Sequence, residues 1–139
     1  VRQTYEEALH VQSYATMIEA LALDPEDVYG LYRKDQDLFE KNKQVLAAVS
    51  KISDPTFQTG TLKNDQMFLE ACVGNIILEG IYFYSAFLTF YVLKRNNKMP
   101  GSAEMIQFIN RDEDVHLQLF IKITNAIKEE QPELWTPEF

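Results

Sequence analysis

The sequence is poor in cysteine, glycine and proline, with one cysteine, five glycines and five prolines in 139 residues. The single cysteine, Cys72, excludes an intramolecular disulfide, which fits a reducing compartment such as the cytoplasm. Few turn residues and no alternating polar and apolar runs argue against a sheet and predict an all-helical chain. Lysine and arginine form no cluster and the net charge is -8, so neither nucleic acid nor a membrane is expected as a partner.

Apolar residues make up 46% of the chain, which is enough for one domain with a buried core. We expect a single helical domain over residues 1–139. The sequence begins at Val1 without a methionine or a signal-like segment, so we expect this domain to be truncated at both ends and to lie inside a larger protein.

Four long helices and one short helix are predicted from the pattern of apolar residues and turn signals. Asp24, followed by a proline, is expected to end the first helix and to cap the short one, and Ser102 is the expected N-cap of the last helix. The predicted spans are residues 1–23, a short segment after residue 25, residues 36–51, residues 64–95 and residues 102–128.

The third long helix contains a mostly apolar run over residues 71–93, closed by Lys94 and Arg95. Such a run is long enough to cross a bilayer. However, Glu79 lies near its middle, where a carboxylate in lipid is costly, and the chain has no second run of this kind. We therefore expect this helix to lie at the centre of a soluble helical bundle.

Two Glu-x-x-His motifs, Glu7 with His10 and Glu113 with His116, lie on the first and last helices. Residues three apart share a helix face, so each motif can present a carboxylate and an imidazole to one metal ion. Glu79 stands alone among apolar residues, and a buried carboxylate needs a cation, a proton or a strong hydrogen-bond partner. One such motif alone is more often an exposed polar pair. Together the five residues match most of the ligand set of a carboxylate-bridged dimetal bundle.

A dimetal bundle of this type uses six ligands, and the sequence offers five of them. The sixth ligand is expected on a helix before Val1. Asp37 and Glu40 are the alternatives within the chain, although both lie in a polar stretch.

Tyr14 follows His10 by four residues and so lies one turn further along the same helix face. Phe83 and Phe87 follow the central glutamate by four and eight residues, and Ile109 precedes the last Glu-x-x-His motif by four. If successive long helices alternate in direction, these four side chains form one apolar pocket beside the metals. Such a pocket would shield a phenoxyl radical from water and reductants.

In three blocks the sequence resembles the small, radical-harbouring subunit of class I ribonucleotide reductase. The matching stretches are residues 7–10 with Tyr14, residues 78–83 with Phe87, and residues 109–113 with His116. The resemblance implies an all-α, ferritin-like helical bundle with a carboxylate-bridged dimetal centre. It is partial, because the family's first ligand helix and its C-terminal tail, which docks the large subunit, have no counterpart in these residues.

The resemblance also implies roles for individual residues. It makes Tyr14 the radical site and Asp112 the carboxylate that hydrogen-bonds a ligand histidine. Phe83, Phe87 and Ile109 would surround the radical. The implied metal ligands are Glu7, His10, Glu79, Glu113 and His116.

As a function, the resemblance implies a small subunit of ribonucleoside-diphosphate reductase. Its two iron ions, or manganese or a mixed manganese–iron pair, would react with O2 and oxidise Tyr14. The radical equivalent would then pass to the large, catalytic subunit, where ribonucleotides are reduced; the small subunit is expected to be a cytoplasmic homodimer. The alternatives are a ferritin-like dimetal oxidase without radical transfer, and a metal-free helical interaction module. An isolated fragment of this size is expected to be inactive.

Overall fold

The computed structural model describes residues 2–137, apart from the side chain of Ala48. These residues form helices and connecting loops, with no strand among them, as the sequence predicts. The elements are α1 Arg2–Ala20, α2 Pro25–Lys34, α3 Gln36–Ser50, α4 Leu62–Ile77, a π-helix Leu78–Tyr82, α5 Phe83–Arg95, α6 Pro100–Glu130 and a 3-10 turn Pro132–Leu134.

The two predicted helix caps have different outcomes. Asp24 does cap α2, because its side chain accepts a hydrogen bond from the backbone N–H of Glu26 at 2.9 Å. The prediction for Ser102 is wrong. Helix α6 begins two residues earlier, at Pro100, after Met99 in a left-handed conformation with φ of 48°. Proline suits the first helical position because it has no N–H to leave unbonded there.

A π-helix interrupts the long apolar helix that the sequence predicts to be continuous. It spans Leu78–Tyr82, and its Glu79 is buried. π-segments are rare and occur often at functional sites. Gly80 is the next residue of the π-helix after Glu79. A Cβ atom at Gly80 would lie 3.2 Å from Cδ1 of Leu117 on α6. The missing side chain thus lets α6 pack closely against the π-helix.

The face of this long helix that points away from the other helices is exposed in the described part of the chain. Its exposed apolar side chains, spaced three or four residues apart, are Ile77, Ile81, Tyr84, Leu88 and Val92. The sequence predicts this helix at the centre of a bundle, and these five side chains of it are exposed among the described residues. By length and composition alone, Leu62–Arg95 is the one helix among the described residues that could cross a membrane.

A hydrophobic cluster joins α1, α5 and α6. Its buried members are Met17, Phe87, Ile106 and Ile109, and Tyr14 and Phe83 pack against them. The Phe83 and Phe87 rings are stacked, with centroids 5.9 Å apart. The structure thus brings together the four side chains that the sequence predicts to share a pocket. Cys72 is buried and free.

Candidate metal centre

Four potential metal ligands from three helical segments converge at the centre of the fold. They are Glu7 on α1, Glu79 on the π-helix, and Glu113 and His116 on α6. One ligand atom from each lies within 4.8 Å of the others. Glu79, Glu113 and His116 are buried, and Glu7 is partly exposed. Such spacing between oxygen and nitrogen donors can hold a cation.

His10 lies on the other side of the same group. Its Nδ1 atom is 3.2 Å from Oε1 of Glu113 and 3.6 Å from Oε2 of Glu7. Nδ1 of His116 is 2.8 Å from Oε2 of Glu113 and 3.3 Å from Oε1 of Glu7. Glu7 and Glu113 therefore both have one carboxylate oxygen near His10 and the other near His116. The centroids of the two imidazole rings are 6.0 Å apart. A carboxylate placed between two imidazoles in this way can bridge two ions.

The crowded carboxylates are costly in the absence of a cation. Burial, reinforced by the negative charge of Glu79, raises the pKa of Glu113 to about 9. Burial likewise raises the pKa of Glu79, and a hydrogen bond from the protonated Glu113 carboxyl opposes part of that increase. Without metal, the group therefore lowers its free energy by keeping a proton.

Two buried polar atoms at this centre show that the residues fit a metal. Nδ1 of His10 and Oε2 of Glu79 form no hydrogen bond within the described residues, although Nδ1 lies 3.2 Å from Oε1 of Glu113. Buried polar atoms are normally satisfied, so an unsatisfied pair calls for an explanation. Both atoms belong to predicted ligands. Imidazole nitrogen and carboxylate oxygen together suit iron and manganese.

Each imidazole also approaches a second carboxylate on the edge of the ring away from the centre. Nε2 of His10 is 3.4 Å from Oδ2 of Asp112, in agreement with the predicted contact. Nε2 of His116 is 3.0 Å from Oε2 of Glu6. Glu6 was not predicted from the sequence, although an acidic residue precedes the glutamate in both Glu-x-x-His motifs. A hydrogen bond from Arg2 holds the pKa of Glu6 below its ordinary value.

Tyr14 packs against the hydrophobic cluster and is partly buried. Burial is the main cause that raises the pKa of its hydroxyl to about 12, and the charges of Glu113, Glu7 and Glu79 add to the increase. The phenol therefore stays protonated at neutral pH. The same charges show that Tyr14 is within electrostatic reach of the candidate metal centre.

Asp37 and Glu40 are the two alternatives within the chain for a sixth ligand. Asp37 is exposed. Glu40 accepts a hydrogen bond from Gln36 at 3.1 Å and pairs with Lys43 at 3.5 Å. Neither belongs to the described group of potential ligands. The structure gives no support to the alternative placement on α3.

The predicted ligands and the helices that carry them define a class of protein. Two Glu-x-x-His motifs and a further inward glutamate, all on helices, are five of the six ligands of ferritin-like carboxylate proteins. The family model for the ribonucleotide reductase small chain matches residues 1–139. The chain belongs to this family, and its fold is the ferritin-like helical fold.

Relatives agree with the family assignment. The chain is 38% identical over 136 residues to the ribonucleoside-diphosphate reductase subunit beta of Treponema pallidum, covering 96% of this chain and 37% of the relative. It is 37% identical to the ribonucleoside-diphosphate reductase subunit beta of Chlamydia pneumoniae, and the match covers 99% of this chain and 40% of the relative. A crystal structure described as a class I ribonucleotide reductase from Bacillus halodurans has a TM-score of 0.77 and 36% identity, covering 97% and 42%. The chain thus spans about two fifths of these relatives.

Proposed function

We propose that this chain is the metal-binding core of a ribonucleoside-diphosphate reductase small subunit that generates a radical on Tyr14. The observation that carries the proposal is the convergence of Glu7, Glu79, Glu113 and His116 within 4.8 Å, beside the partly buried tyrosine. Family membership supports the general function. The radical, the metals and the partners are inferences from this geometry and from the resemblance.

In this proposal the five predicted ligands hold two ions. Glu7 and Glu113 would contribute to holding both ions, because each glutamate approaches both imidazoles. Glu79 supplies charge from the π-helix. Together with O2, the bound pair would supply the oxidising equivalent for Tyr14. Iron is proposed, with manganese or a mixed pair as the alternative, since the donors suit both metals. The sixth ligand is proposed on a helix before Val1.

The hydrophobic cluster is proposed to protect the oxidised tyrosine. Phe83, Phe87 and Ile109 pack around or beside Tyr14, and Phe87 and Ile109 are buried. Apolar walls limit the access of water and of dissolved reductants. The protein thus supplies geometry and dryness, while the metal cofactor supplies the redox chemistry.

The proposed partners follow from the family. A large, catalytic subunit would receive the radical equivalent and reduce ribonucleotides in the cytoplasm. A second copy of the chain is proposed to form a homodimer. The exposed apolar residues Ile81, Leu88 and Val92 support burial of this helix face in the complete assembly.

Replacing Tyr14 by phenylalanine tests the radical. The full-length protein, freed of metal and then given Fe(II) and O2, is expected to show a tyrosyl signal by electron paramagnetic resonance. The Tyr14→Phe variant should load the same metal but lose that signal to background. Tyr91→Phe is the matched control, because Tyr91 packs against the same cluster and its change also removes one hydroxyl.

The outcomes separate the competing functions. Metal loading and O2 consumption without a Tyr14-dependent radical would favour a ferritin-like oxidase. If the signal is lost in Tyr91→Phe and kept in Tyr14→Phe, the radical is on Tyr91 and not on Tyr14. Failure of the full-length protein to bind metal at all would favour a helical interaction module.

A further inference from the structure

Glu6 is a buried carboxylate that the proposed chemistry does not use. It precedes the predicted ligand Glu7 on α1, and only 9% of the residue is exposed. Its Oε2 atom lies 3.0 Å from Nε2 of His116 on α6. On the opposite edge of the same ring, Nδ1 is 2.8 Å from Oε2 of Glu113. The imidazole is therefore held between two carboxylates, of which one faces the metal centre and the other faces away.

A second contact fixes the position of Glu6 itself. Nε of Arg2 donates a hydrogen bond to Oε1 of Glu6 at 2.8 Å, one helical turn away. The two oxygens of Glu6 thus have separate partners, one on its own helix and one on α6. A carboxylate bonded at both oxygens has little freedom to turn away from His116.

The imidazole of His10 has the corresponding contact, with the roles of the two helices exchanged. Nε2 of His10, on α1, approaches Oδ2 of Asp112 at 3.4 Å, and Asp112 precedes the predicted ligand Glu113 on α6. Each helix therefore supplies the acidic residue that contacts the other helix's histidine. This reciprocity makes an accidental contact at Glu6 a poor explanation, because an acidic residue directly precedes the glutamate in both motifs.

We propose that Glu6, held by Arg2, is a positioning residue for His116; the inference rests on the proposed dimetal function. When Nδ1 of His116 serves as the ligand atom, Nε2 carries the proton and donates a hydrogen bond to Oε2 of Glu6. That hydrogen bond fixes the tautomer and the orientation of the ring and makes it a more basic ligand. Loss of such a partner typically weakens metal binding by about 10–100-fold.

Metal titration of Glu6 variants tests this role. The metal-free, full-length protein is titrated with Co(II), whose visible absorption reports coordination geometry. In Glu6→Ala, one of the two ions is expected to bind about 10–100-fold more weakly, with an altered spectrum, while the other is unchanged. Glu6→Gln should restore most of the affinity, because its amide oxygen can accept the same bond. Glu19→Ala, an exposed glutamate on the same helix, is the matched control and should change neither ion.

Two further variants keep the proposal testable if Glu6→Ala does not fold. The Arg2 side chain is 73% exposed, so Arg2→Ala should fold and should weaken the same ion by a smaller factor. Asp112→Ala should weaken the other ion, because Asp112 contacts His10.

Unchanged Co(II) binding in Glu6→Ala, or an equal loss of both ions with no rescue by Glu6→Gln, would overturn the positioning role. A wild-type protein that binds no Co(II) would instead overturn the proposed dimetal function on which it rests. The two failures are therefore distinguishable.

Discussion

Glu79→Ala is expected to abolish the loading of two metal ions, reducing the bound metal from two ions per chain to one or none. Glu79 is the predicted ligand from the long apolar helix, and one of its buried oxygens has no hydrogen-bond partner among the described residues. Removing it leaves the ions with fewer charged donors from fewer helices. Metal analysis after loading with Fe(II) or Mn(II) measures the change directly.

A second substitution of Glu79 is expected to maintain or raise the unfolding temperature of the metal-free protein while it lowers metal loading. Burial raises the pKa of Glu79, which shows that its ionised form is unfavourable in the metal-free fold. Glu79→Gln keeps the shape and removes that ionisable group. The metal-free variant should therefore unfold at the same temperature as the wild type or a higher one, while its metal loading falls. A ligand residue lowers stability in this way only when its partner ion is absent.

A matched control lies on the same apolar helix. Glu70 is half exposed and pairs with Lys51 at 2.6 Å on the surface, where ion pairs contribute only about 0–1 kcal/mol. Glu70→Ala should leave metal loading at two ions per chain. Unchanged stoichiometry in Glu79→Ala would remove Glu79 from the proposed ligand set.

The predictable part of the fold is the part set by local sequence. The helical class follows from apolar periodicity, and the α2 cap follows from Asp24 before a proline. The start of α6 was misplaced because Ser102 and Pro100 both suit a helix start, and the sequence alone does not rank them. Met99 adopts a left-handed conformation directly before the proline, so the helix begins at Pro100.

The π-helix could not be predicted from the sequence. An amphipathic helix reveals an extra residue as a shift in the phase of its apolar stripe. Around Glu79 the helix is apolar on all sides, so there is no stripe whose phase could shift. The close approach of α6 at Gly80 is likewise a tertiary effect, visible only once Leu117 lies against it.

The candidate site was predictable from its chemistry, except for one carboxylate. The two Glu-x-x-His motifs and Glu79 stand out because each is unusual in its surroundings. Glu6 does not stand out, since it lies next to Glu7 and either residue could face the solvent. The acidic residue before each motif was the available signal, but its meaning depends on α1 and α6 lying side by side.

The metal-free protein is expected to lose stability as the pH rises from about 5 to 9. Glu113 has an ordinary pKa near 4.5 and a folded pKa of about 9, because burial and the charge of Glu79 favour its protonated form. Its contribution is therefore fully present below the unfolded pKa and is lost as the pH rises towards the folded pKa. While one such group titrates, the free energy of unfolding falls by up to about 1.4 kcal/mol per pH unit.

Bound metal should remove this dependence, since divalent cations favour the ionised carboxylates and displace their protons. Thermal unfolding between pH 5 and 9, with EDTA and with Mn(II), measures both states. Glu113→Gln is the informative variant, because the titrating groups that are not coupled to Glu113 cancel in its difference from wild type. Asp114→Asn, one exposed residue further on, is the control. A wild type in EDTA whose pH profile matches that of Glu113→Gln would show that Glu113 is ionised in the fold without a cation. In that case the crowded carboxylates would no longer argue for a metal.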